Sequence, residues 1–101
     1  MPEQKVLPVL WTDRSVQNTL SIKKYIAHKF SQKEVDNFYA LLFAFEKAVS
    51  IFPKLYPLSN RQREVRRAVL SKKLSTFYRI GDRQIEVLAV LDNRCDISEW
   101  Y

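Results

Sequence analysis

Between Val65 and Leu91 the chain carries three runs of strand-forming residues: Val65 to Leu70, Ser75 to Ile80 and Gln84 to Leu91. Short polar breaks part them. The runs are rich in β-branched and aromatic residues and too short for globular helices, so they predict adjacent strands of one antiparallel sheet. Gly81, the only glycine, stands with Asp82 between the second and third runs. A two-residue hairpin with glycine at positive φ is expected there. The Ser71–Lys73 break predicts a looser hairpin. The third run constrains the fold most. Ile85, Val87, Ala89 and Leu91 alternate as one face, yet Leu88 and Val90 on the other face are apolar too. A strand apolar on both faces belongs inside a sheet that is covered on both sides.

The first half of the chain supplies one cover. Val6 to Trp11 reads as a short strand in which Pro8 removes one ladder donor. Thr12 or Asp13 can cap a helix to about Lys29, with Val16, Thr19, Leu20, Ile26, Ala27 and Phe30 on one side and Lys23 snorkelling from within that stripe. Ser31-Gln-Lys-Glu34 has the form of a capping box, with the Glu34 carboxylate reaching back to the Ser31 amide. Val35, Phe38, Leu41, Leu42, Phe45, Val49 and Phe52 then repeat at helical spacing until Pro53. Phe43 lies off that stripe, as an extra packing contact or as an anchor for a partner. Almost no linker separates the two helices, which implies an antiparallel helical hairpin. A hairpin covers one face of the sheet. The other must be closed by the C-terminal tail with Trp100, by a second copy of the chain or by another protein, and Leu88, Val90 and Trp100 are the residues expected at that contact.

Composition narrows the class. A chain of 101 residues, 47% hydrophobic and 28% charged, predicts a single globular domain over residues 1–101. One cysteine, Cys95, permits no internal disulfide and fits a reducing cytoplasm. The longest apolar run, Ala40 to Phe45, is too short to span a bilayer, so no membrane partner is expected. With one Cys and one His there is no usual metal set, and no glycine-rich phosphate loop is present, so no cofactor is expected. His28 reads as an exposed helix residue. The charge is uneven: residues 53–94 hold ten Lys/Arg against four Asp/Glu, residues 1–52 seven against five. Arg61, Arg63, Arg66, Arg67, Lys72 and Lys73 form a stripe interrupted by Glu64 alone, with Arg79 on the next strand. Such a stripe attracts phosphates or an acidic protein surface.

The predicted order is therefore β-α-α-β-β-β, an α+β fold with a helical hairpin packed on a mainly antiparallel sheet. From Val9-Leu-Trp-Thr12 to about Asp96 this layout resembles the RelE/ParE superfamily, the toxins of type II toxin–antitoxin modules. The resemblance rests on Ile51-Phe-Pro53, Val65-Arg66, Phe77-Tyr-Arg-Ile80 before a hairpin, and Ile85-Glu-Val-Leu88 leading to Asp92-Asn-Arg94. It implies a cytoplasmic protein held by a cognate antitoxin, with self-pairing when the antitoxin is absent. Its RelE-like branch cuts mRNA in the ribosome without metal, using basic side chains and a tyrosine. Arg66, Arg94 and Tyr101 stand at matching positions, but Ala68 and Ser75 replace two expected basic residues. The ParE-like branch poisons DNA gyrase and needs a recognition surface rather than a catalytic set. The long hairpin and the incomplete basic set favour that branch, with Arg61, Arg63, Arg67, Lys72, Lys73, Arg79, Leu88, Val90 and Trp100 as contacts to target or antitoxin. A basic module that binds nucleic acid without toxicity is the reading from a different class.

Overall fold

The computed structural model describes residues 6–60 and 62–94, so Arg61, Cys95, Trp100 and Tyr101 lie outside the described residues, as does the expected closure by the tail. The elements are β1 (Val9–Trp11), α1 (Asp13–Lys29), α2 (Gln32–Ile51), β2 (Arg66–Val69), β3 (Leu74–Ile80) and β4 (Ile85–Asp92). The strands form one sheet in the order β1-β4-β3-β2, with β1 parallel to β4 and the other pairs antiparallel. Among the described residues no helix is long and apolar enough to cross a membrane.

Thr12 starts α1 and ties it to the sheet. Its hydroxyl accepts from the Ser15 amide at 3.3 Å and donates to the Val87 carbonyl at 2.7 Å. On β4 beyond the last residue paired with β1, the Val90 amide donates to Asn18 Oδ1 at 3.1 Å. Thus α1 meets backbone groups that the three-residue β1 is too short to reach. On the far edge the chain before β2 does the same for that strand: the Arg67 amide donates to the Pro57 carbonyl at 3.0 Å.

Two expectations about the strands are corrected. Phe77 pairs with Ala89 but Tyr78 pairs with Val87, so Leu88 is an extra residue in β4. A bulge of this kind reverses the in–out phase of everything beyond it. Ile85 and Val87 face the helices before the bulge, and Val90 faces them after it, packed with Ile22, Ile26 and Phe38. Val90 is fully buried on the helix side and is not on a partner-facing surface. Leu88, Ala89 and Leu91 instead share the opposite face with Val65 and Phe77. The β3–β4 connection is also longer than two residues, since Ile80 pairs with Ile85. Gly81 has no positive φ. Its need is space, because a Cβ there would stand 3.0 Å from the Gln84 carbonyl oxygen, which accepts the Gly81 amide at 2.8 Å.

The helices also differ in detail. Ser31 precedes α2 without a side-chain cap, and the Glu34 carboxylate is turned to Arg94 instead of reaching back. Phe52, expected in the core stripe, is the C-cap and is exposed. The core of α2 is Val35, Phe38, Leu42, Phe45 and Val49.

Tyr78 closes the lower core. Its ring meets Phe45 edge-on at 5.5 Å and Tyr56 edge-on at 6.4 Å, and its hydroxyl donates to the Pro53 carbonyl at 2.7 Å. Burial pushes its phenol above the usual tyrosine value. The neutral form is therefore favoured by folding, and this contribution is complete below the unfolded tyrosine pKa and lost as pH rises through the folded one. Tyr78→Phe should cost about 1–2 kcal/mol at neutral pH through the orphaned Pro53 carbonyl. It should also flatten the loss of stability above about pH 10, as read by urea unfolding at stepped pH. An unchanged alkaline slope would dissociate Tyr78 from it.

Candidate functional site

The buried positions of α1 are Ser15, Ile22 and Ile26. Two members of the stripe expected to be core, Val16 and Leu20, are 41% and 49% exposed. They face Tyr39 and Phe43 of α2, 41% and 58% exposed, across a groove of about 690 Å³. Each helix carries two apolar arcs, one for the sheet and one for this groove. Trp11 and Leu42 also line it. The Trp11 indole N–H donates to Glu46 Oε1 at 2.5 Å and its ring meets Phe45 edge-on at 6.2 Å, which fixes the indole at one end of the groove. Lys47 Nζ lies 4.6 Å from the centre of the Phe43 ring. An open apolar trough of this size between two parallel walls fits the apolar stripe of a third helix. Phe43 was legible as an off-stripe residue. Val16, Leu20 and Tyr39 were missed, although Val16/Leu20 and Tyr39/Phe43 are both i, i+4 pairs that could have flagged a second stripe.

The basic residues are scattered by the fold. The Arg66 guanidinium donates to the Tyr56 carbonyl at 2.7 Å and so holds the loop after α2. Arg67 lies over the Phe77 ring at 5.8 Å, on the face away from the helices. Arg79 pairs with Glu86 at 2.7 Å, a hydrogen bond that raises the already high guanidinium pKa. Arg63 is exposed before β2, and Lys72 and Lys73 are exposed in the β2–β3 turn. Leu88 is half-buried beside the Val65, Phe77 and Ala89 cluster.

Arg94 is the most heavily engaged of them. Its Nε and Nη2 donate to the two oxygens of Asp92 at 2.9 and 2.7 Å, and Nη1 meets Glu34 at 3.3 Å. Its guanidinium also covers the Phe30 ring at 5.5 Å. The hydrogen bond to Asp92 pushes its pKa further up. The structure does not bring Arg66 and Arg94 together. Arg66 pairs with Tyr78 and Arg94 follows Asp92, which pairs with Leu74. Those partners stand four positions apart on β3, about 13 Å. Each guanidinium donates to a group of the fold itself, Arg66 to the Tyr56 carbonyl and Arg94 to the Asp92 carboxylate. Among the described residues no group of His, Cys, Asp and Glu could hold a metal ion.

The comparisons with known proteins agree with this architecture. No curated protein matches the sequence. Among solved structures, the chromosomal ParDE toxin–antitoxin system of P. aeruginosa contains a chain similar to this one at a TM-score of 0.74 and 12% identity, over 87% of this chain and 97% of that one. The toxin–antitoxin complex RelBE2 of Mycobacterium tuberculosis contains another at 0.59 and 18%, over 86% and 98%. At such identities the likeness is one of fold: two helices on a four-stranded mixed sheet, as in RelE/ParE-like toxins. The sequence itself carries the assignment. The profile described as "ParE toxin of type II toxin-antitoxin system, parDE" matches residues 9–97, nearly the whole chain, and the protein belongs to that family of toxins.

Proposed function

We propose that this chain arrests bacterial growth in the cytoplasm by binding DNA gyrase, and that a cognate antitoxin silences it by laying an amphipathic helix into the groove between α1 and α2. The groove is the observation that carries this reading. Val16, Leu20, Tyr39 and Phe43 expose apolar surface that the fold of a lone chain leaves uncovered. A toxin that must be held inactive by a partner has a use for such a surface. The mechanism favoured is recognition rather than cleavage, because Arg66 and Arg94 are each committed to contacts inside the fold. The further contacts expected of Arg63, Arg67, Arg79 and Leu88 belong to the same proposal.

Pulse-labelling after sudden induction of the chain alone tests the target. DNA synthesis should fall within minutes while incorporation into protein continues. If protein synthesis stops first, the ribosome-dependent nuclease replaces this reading. If neither changes, toxicity leaves the account.

A further inference from the structure

The basic stripe that is continuous in sequence from Arg61 to Lys73 is divided by the fold, and its last two members join cations from elsewhere. Lys72 and Lys73 sit in the β2–β3 turn, against a cleft of about 310 Å³ shared with Asn37 of α2 and with Arg94. Asn93 fixes that turn, its side-chain amide donating to the Lys72 carbonyl at 3.0 Å and its backbone amide to the Lys73 carbonyl at 2.7 Å. Arg94 reaches from the same segment to Glu34 and Phe30, which flank the α1–α2 turn. Lys29 precedes Phe30 and Lys33 precedes Glu34, so Lys29, Lys33, Lys72 and Lys73 share one end of the molecule. All four are exposed, and Lys23 and Lys24 extend the set back along α1.

Among the described residues this end holds little unpaired negative charge. Residues 21–33 contain no Asp or Glu. Glu34 and Asp92 are both paired with Arg94, and the exposed Asp36 accepts from Gln32 at 3.0 Å. None of the six lysines has a carboxylate within ion-pair distance among the described residues. The helix dipole accounts for Lys29, in the last turn of α1. It opposes Lys33, which lies in the first turn of α2, and has no bearing on Lys72 or Lys73.

We infer that this lysine-bearing end is a docking surface for the phosphate backbone of duplex DNA. Lysine ammonium groups act as point charges toward phosphate and need no fixed plane. A single strand would ask for open aromatic faces, but among the described residues Phe30 at this end has Arg94 over one face and Tyr25 beside it at 6.4 Å. The choice of DNA over RNA rests on the gyrase reading, since a gyrase-directed toxin meets its target on DNA.

The test is fluorescence anisotropy of a labelled DNA duplex with the full chain across a salt series. Four phosphate contacts predict a log–log salt slope of about −3.6. Lys29→Gln/Lys33→Gln and Lys72→Gln/Lys73→Gln should each weaken binding about tenfold and halve that slope. Lys54→Gln/Arg83→Gln, with the same loss of charge at the opposite end, should change binding less than about twofold. Equal weakening by the distant pair would reduce the effect to net charge and overturn the proposal. So would tighter binding of an RNA duplex of the same sequence, or displacement by polyglutamate at equal charge, which would indicate an acidic protein instead. The measurement does not involve growth inhibition. If binding behaves as expected while induction leaves DNA synthesis intact, the gyrase reading falls and this surface stands.

Discussion

Replacing Arg94 by Met should cost about 3 kcal/mol of folding stability, measured by urea unfolding. Asp92 is fully buried and the Arg94 side chain only 14% exposed, so the substitution strands a carboxylate away from water with two of its hydrogen bonds removed. The longer Met stem preserves much of the packing, which isolates the loss of charge. Arg94→Met/Asp92→Leu should recover most of the deficit, to within about 1 kcal/mol of the natural chain, because a buried ion pair and an apolar pair of similar volume differ little. A single substitution costing less than about 1 kcal/mol would mean that the pair is not a structural latch. The outcome bears on function. In the nuclease reading Arg94 is a catalytic cation, and loss of mRNA cleavage in Arg94→Ala would pass as support. The latch gives the same loss by unfolding. Only the double variant, folded and without the guanidinium, separates the two.

Phe43→Asp should weaken the complex with the cognate antitoxin about 100-fold, equivalent to about 2.7 kcal/mol. Phe43 is 58% exposed and outside the core clusters, so stability should change by no more than about 0.5 kcal/mol. In cells the variant should remain toxic while co-expression of the antitoxin no longer rescues growth. Phe45→Asp, two residues on and 1% exposed, should abolish folding and with it both activities. The pair of results separates a binding surface from a structural one. Calorimetry of the Phe43→Asp complex within threefold of the natural affinity would place the antitoxin elsewhere.

Much of the framework was legible in the chain because it depends on local spacing. The period of α2, the stop at Pro53, a helix start at Thr12 or Asp13 (Thr12 is the cap) and the three runs after Val65 are properties of neighbours in sequence, and each became the expected element. The expectation that β4 lies inside the sheet also held, since apolar residues on both faces leave a strand no solvent side. What failed was phase. Val16 and Leu20 were assigned to the core, yet α1 has two apolar arcs and its own sequence does not rank them. Ile22 and Ile26 are the residues that find Phe38, Leu74 and Val90. Val90 was assigned to the outer face because alternation was counted through Leu88, and one unpaired residue reverses the count.

The candidate site was the least legible part, because its members meet only through the fold. Glu34 read as a capping carboxylate; it serves Arg94, sixty residues away. Lys33 and Lys73 belong to separate runs until the β2–β3 turn is laid beside α2. The sequence by itself determined which elements form and in what order, since periodicity, capping and breakers act between residues a few positions apart. The tertiary structure alone decided which face of each element is core, which is groove, and which charges are spent. Those outcomes depend on the packing free energy of surfaces brought together from distant segments, which no local pattern contains.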